Sequence, residues 1–196
     1  MKLNKIIGVI LIFLSVILIN IYFAYTSFLE ITKTKKVEQY YTTYVNGITD
    51  GVFDKEPSVT NTDKVEENYI AVLKIDKIGL EKGLYSKNNK KNNVKSNIEI
   101  LESSDYPNVK NGNFILAAHS GNAKNAFFKD LDKLSLNDIV KVNYLGINYS
   151  YKVIRIYDVE KTGVINITRN INKDTLTLIT CRQKTNNQIV IICEKI

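Results

Sequence analysis

Two hydrophobic patterns divide this chain. From Ile6 to Leu29 the residues are almost continuously apolar and none is charged. From Tyr69 onward, short apolar and β-branched runs alternate with polar turns. The first pattern belongs to a helix in lipid, since about 20 apolar residues suffice to cross a bilayer core. Gly8, Ser15 and Asn20 interrupt it mildly, and Lys2 and Lys5 precede it. The stretch is long for the apolar region of a cleaved signal, and no small-x-small cleavage site follows it. An uncleaved signal anchor over residues 1–29 is therefore expected. Lys33, Lys35 and Lys36 flank its other end, so positive charge alone does not orient it.

Residues 30–68 read as a stem or linker rich in Thr, Lys and Glu, with a short helix expected over Lys36–Val45. The domain proper is expected over residues 69–196. Strand-like runs cover Tyr69–Ile75, Leu84–Tyr85, Ile98–Leu101, Asn113–His119, Ile139–Tyr144, Ile147–Asp158, Thr175–Cys181 and Gln188–Cys193. Gly146 marks a hairpin turn. In Ala126–Leu134 the apolar positions 127, 128, 131 and 134 fit one face of a short helix. Many short strands with little helix predict a mainly β fold, a small barrel or sandwich.

The net charge is +7, of which the residues after the anchor carry +5. Such a surface favours anionic surroundings such as headgroups or wall polymers. No zinc spacing, Arg-rich helix or stacking platform accompanies it, so nucleic acid is not expected as a partner. Two cysteines do not make a disulfide framework, and a single histidine excludes multi-His metal sites. No metal and no cofactor are expected.

The candidate chemistry lies in Cys181, which closes the run Thr175–Cys181, and in His119, the only histidine. A thiol and an imidazole are sufficient for acyl transfer, one as nucleophile and the other as proton carrier.

These residues resemble the sortase family. Thr177-Leu-Ile-Thr-Cys181 is similar to the sortase signature strand that ends in the catalytic cysteine. Ala117-Ala-His119-Ser120, about 60 residues upstream, resembles the histidine segment, and Ile70-Ala-Val-Leu-Lys-Ile-Asp-Lys-Ile-Gly79 the first barrel strand and its turn. The resemblance covers roughly residues 68–196 and leaves the class open, with a class D-like enzyme one candidate. It implies a closed β-barrel of about eight strands behind an N-terminal transmembrane helix. It also implies a single-pass cell-membrane protein of a Gram-positive-type bacterium, with the catalytic domain outside. The implied activity is cleavage of a C-terminal LPXTG-like sorting motif in surface proteins through a Cys181 thioester. The acyl group would pass to an amine of a peptidoglycan precursor or a pilin. His119 would be the general acid and base, and Thr180 and Ser120 would contact or shape the bound peptide.

Sortases also carry an arginine on the strand after the cysteine. Here the corresponding apolar run places Gln188 at that position, an uncharged donor. Arg182, beside the cysteine, and Arg169, in the preceding loop, are the other candidates for oxyanion stabilisation or substrate positioning. Cys193 lies an odd number of residues from Gln188, so on an unbroken strand the two face opposite sides and a Cys181–Cys193 disulfide is not expected. With the arginine missing, a domain with only weak hydrolytic or peptide-binding activity stays open as the alternative. So does a membrane-anchored β-domain that binds anionic wall polymer through its lysines.

Overall fold

The computed structural model describes residues 2–49 and 68–196, and the part of the expected stem from 50 to 67 lies outside them. The chain divides into two compact units, 1–39 and 40–196.

In the first unit the apolar run is helical, as part of helix α1 (Lys2–Thr49). The helix does not end near residue 29. It continues through the residues read as stem and takes in the short helix expected over Lys36–Val45. Its 48 residues span about 72 Å at about 1.5 Å each, so a bilayer core accommodates only part of it. Ile10–Tyr44 is long and apolar enough to cross a membrane by length and composition. The polar residues of the apolar run turn back onto their own helix. Ser15 donates to the Ile12 carbonyl at 2.7 Å, and the Asn20 amide to the Val16 carbonyl at 2.8 Å. Each polar side chain is thereby satisfied without water, as lipid requires.

The second unit is one eight-stranded, nearly closed barrel. The strands are β1 (Ala71–Ile75), β2 (Leu80–Leu84), β3 (Glu99–Ile100), β4 (Asn113–Ala117), β5 (Ile139–Tyr144), β6 (Ile147–Glu160), β7 (Thr175–Cys181) and β8 (Asn187–Lys195). Their order is β2-β1-β5-β6-β8-β7-β4-β3. All pairings are antiparallel except β4 with β7. The two edge strands approach each other where the Asn97 amide donates to the Gly83 carbonyl on β2 at 2.9 Å. Leu145 (φ 48°) and Gly146 (φ 85°) make the two-residue turn between β5 and β6, the left-handed pair that such a turn needs.

Alternation along the strands separates two apolar clusters. Leu176 and Leu178 of β7 and Ile189, Ile191 and Cys193 of β8 fill the barrel with Leu73, Phe114 and Val142. Ile179 of β7 and Val190 and Ile192 of β8 face outward with Ile115. Ile165 and Ile167 of the β6–β7 connection pack on this outer cluster. That cover explains why β7 is buried on both faces although one of them lies outside the barrel.

The helix expected over Ala126–Leu134 does not form. The Phe128 N–H bonds back to His119 O, and Leu131 and Leu134 donate three residues back, giving turns and one 3-10 turn at Leu131–Lys133. So short a segment does not recover the cost of nucleating an α-helix on its own. The apolar spacing nevertheless serves burial: Phe128, Leu131 and Leu134 all lie in the core.

The end of α1 belongs to the barrel unit. Tyr40 is buried; its hydroxyl donates to Asn143 Oδ1 at 2.6 Å and accepts from the Gly146 N–H at 3.3 Å. Tyr41 donates to Glu81 at 3.3 Å. Replacing Tyr40 with Phe removes one of the two donors to the Asn143 amide oxygen, which keeps the Gly146 N–H at 3.1 Å, and the loss of that hydrogen bond costs about 1 kcal/mol. Thermal unfolding of the full chain in detergent micelles is expected to show a lower Tm for Tyr40→Phe with an unchanged fold.

Candidate active site

The site is built by register. β4 and β7 run parallel with a constant offset of 62 residues, from Asn113 beside Thr175 to Ala117 beside Ile179. Past the end of β4 the Ala118 N–H still donates to Ile179 O at 3.2 Å, and Thr180 Oγ1 donates to Ala118 O at 2.7 Å. His119 follows one residue later, beyond the end of β4, as Cys181 closes β7. On the other side of β7, Cys181 pairs directly with Gln188 of β8. His119, Cys181 and Gln188 are thus carried at the same end of three neighbouring strands.

Alternation assigns the faces. Cys181 lies two residues beyond outward-facing Ile179, and Gln188 two residues before outward-facing Val190. Both belong to the outer face, above the apolar floor of Ile115, Ile179, Val190 and Ile192. Thr180 belongs to the opposite face, is buried, and is committed to the Ala118 carbonyl. Its hydroxyl therefore ties the histidine segment to the cysteine strand.

A shallow cleft, open to solvent, reaches Cys181. Ser120, Phe128, Lys129, Asp132, Thr180, Arg182, Gln183 and Ile189 line it with the cysteine. Ser120, Thr180 and Arg182 thus share a cleft with the thiol. Arg182 Nη2 and Nε reach Asp158 Oδ1 at 2.7 and 3.0 Å. Arg169 lies elsewhere. Its Nη1 is held by the carbonyls of Asn111, Asn170 and Lys173, at 3.1, 3.3 and 3.3 Å. Asn111 and Lys173 precede β4 and β7, so this guanidinium is at the opposite end of the strands, about 25 Å from Cys181 along β7. Asp158 and Asp132, which bring charge to the site, carry no sequence motif that singles them out.

Both cysteines are free. Cys193 is fully buried, and burial pushes its thiol up to about 12. It lies in the barrel interior, on the face opposite Gln188. Among the described residues no group of three or more His, Cys, Asp or Glu side chains converges as a metal site.

This barrel, with a cysteine and a histidine at the ends of two parallel strands, matches a known class. The Sortase domain matches residues 73–196, and the chain belongs to the sortase family. It is an enzyme, a cysteine transpeptidase. No curated protein sequence matches it. Among solved structures it is similar to the Sortase D5 transpeptidase of Clostridium perfringens (25% identity, TM-score 0.55, covering 66% of this chain and 79% of that one). It is also similar to Sortase C2 of Pilus Island 1 of Group B Streptococcus (25%, TM-score 0.56, 65% and 74%). A lid mutant of Sortase A from Corynebacterium diphtheriae shares the fold at 19% identity (TM-score 0.60, 86% and 94%).

The two thiols differ enough to be separated chemically. At pH 8 the folded full chain is expected to take up one equivalent of a thiol reagent, at Cys181, and the second only on unfolding. Peptide mapping of the labelled protein checks this.

Proposed function

We propose that this sortase is a membrane-tethered transpeptidase that cleaves an LPXTG-like sorting motif and joins the acyl fragment, N-terminal to the scissile bond, to an amine. The observation that supports the reading is the parallel β4–β7 pairing inside a Sortase domain: its register, continued two residues beyond Ala117 and Ile179, would bring His119 level with Cys181. The Cys181 thiolate attacks the carbonyl carbon of the scissile peptide bond. The His119 imidazolium gives its proton to the leaving amine as the C–N bond breaks. The product is a thioester on Cys181. An incoming amine attacks the thioester carbon, His119 takes up the proton released, and the thiolate leaves.

Gln188 is the nearest side chain across the strand pair and acts as a neutral donor to the oxyanion; in other enzymes one such donor contributes about 3 kcal/mol. Ser120 shapes the pocket entrance. α1 tethers the enzyme by a single pass with the barrel outside the cell, where surface proteins emerge. One structural neighbour is described as a transpeptidase and another comes from a pilus island, so the acceptor is an amine of a wall precursor or a pilin.

A weaker hydrolytic activity is the second reading, favoured by the uncharged Gln188 beside Cys181. Mass spectrometry of the full chain in detergent micelles, incubated with sorting-motif peptides and an amine, separates the two. A thioester followed by an amide product is expected, with Cys181→Ala abolishing both and His119→Ala slowing turnover about 100-fold or more. Hydrolysed peptide without amide would establish the second reading. Wild-type rates from Cys181→Ala would refute both.

A further inference from the structure

Arg182 follows the nucleophile and lines the same cleft, yet its partner comes from two strands away. Asp158 is on β6, and β8 stands between β6 and β7. The reach depends on an irregularity. Val153 pairs with Cys193, but the register then shifts, and Arg155 pairs with Ile192. On an unbulged β6, Asp158 would stand opposite Gln188, on the outer face. The bulge at Ile154 sets it opposite Ile189 instead. Ile189 faces the barrel interior, so Asp158 lies on the face from which Arg182 also leaves β7. A bulge re-aims a side chain in just this way.

We propose that Arg182 supplies the fixed positive charge of this active site and that Asp158 is the residue that positions it. This rests on Cys181 being the nucleophile. A thiolate and an oxyanion both gain from a nearby cation, and a guanidinium stays charged at any working pH. Asp158 engages Nε and one Nη2 hydrogen and leaves three of the five donors uncommitted to it. The Arg182 and Asp158 side chains are 34% and 36% exposed. An ion pair so open to water contributes little to stability, so its consequence lies in where it holds the charge. The Asp158 carboxylate also keeps the guanidinium above its ordinary range, and Asp132 adds to this. The charged groups that line the cleft with Cys181 are Lys129 and Asp132 of the β4–β5 connection and Arg182, with Asp158 of β6 bound to Arg182; His119 and neutral Gln188 stand at the ends of the neighbouring strands. Lys129 with Asp132 and Arg182 with Asp158 are each of opposite sign, so what Arg182 adds at the cysteine depends on its guanidinium lying nearer to the thiol than the Asp158 carboxylate does.

The test is the rate of alkylation of Cys181 by iodoacetamide at pH 7.5 in the full chain, read by mass spectrometry of the Cys181 peptide. Arg182→Gln is expected to slow it about 10-fold, because the thiolate loses its cation. Asp158→Asn is expected to speed it, because the cation loses its counter-charge. Transpeptidation is expected to fall about 10-fold or more in Arg182→Gln. It falls in Asp158→Asn as well, in kcat and not in KM, with recovery in Asp158→Glu. A merely structural pair would not change the two alkylation rates in opposite directions. An Arg182→Gln alkylation rate identical to wild type overturns the proposal. Alkylation needs no sorting peptide, so this result stands whether or not a substrate is turned over. Retained turnover in Cys181→Ala would instead remove the reading on which the proposal rests.

Discussion

Every feature of the site depends on the parallel pairing of β4 with β7. A slip of one residue would turn every side chain of one strand to the other face. Buried polar groups oppose that slip. Asn113 Oδ1 accepts from Thr175 Oγ1 at 3.0 Å and from Thr177 Oγ1 at 2.8 Å. A shifted register would leave those groups buried without partners, which is costly in a low-dielectric interior. At the far end Thr180 repeats the device by bonding the Ala118 carbonyl. The register of the histidine segment against the cysteine strand is therefore set by hydrogen bonds distributed over the whole length of β7. Arg169 takes part in the same task, since it gathers the carbonyls of Asn111 and Lys173 just ahead of the two strands. A residue that sequence proximity offers to the substrate thus serves the strand register.

Much of this architecture is legible in the chain. β-branched runs delimit β5 and β7 to the residue, and Gly146 marks the turn between β5 and β6. The face of Cys193 follows from counting along β8, because that strand is unbroken between Gln188 and Cys193. Counting along β6 fails for the complementary reason. Nothing in Val153-Ile-Arg155 announces a bulge, and a strict alternation through it would put Asp158 on the wrong face. The segment Ala126–Leu134 misleads differently. Its helical spacing is real, but its backbone is tied to His119 O, and three apolar side chains reach the core from turns. The stem misleads because Tyr40 looks like any polar-surface aromatic. Its burial depends on Asn143 and Gly146, about a hundred residues later.

The outer face of β7 and β8 shows why a transpeptidase can use a barrel that is already full. The interior is packed by Leu176, Leu178, Ile189 and Ile191 and has no room for a peptide. A second apolar cluster on the outside is covered by Ile165 and Ile167 of the β6–β7 connection, and the same face carries Cys181 at the end of β7. Two faces of one strand pair therefore divide the work. One holds the fold, and the other presents the nucleophile.

Gln188 and Arg182 leave their strands on these two faces, and a hydrogen bond and a charge differ in what they require of position. A hydrogen bond requires contact near 2.9 Å and weakens steeply when misaligned. A charge acts over distance, falling only as the reciprocal of separation, and more strongly where water is partly excluded. The donor must therefore sit in the row of the reacting atoms, as Gln188 does opposite Cys181. The cation need not. An arginine in the row would combine both roles in one group. Here a neutral amide pairs with the cysteine across β7 and β8, and the guanidinium beside the cysteine is held by Asp158. The bulge at Ile154 makes that separation possible, because it alone puts the carboxylate on the side where Arg182 can be held.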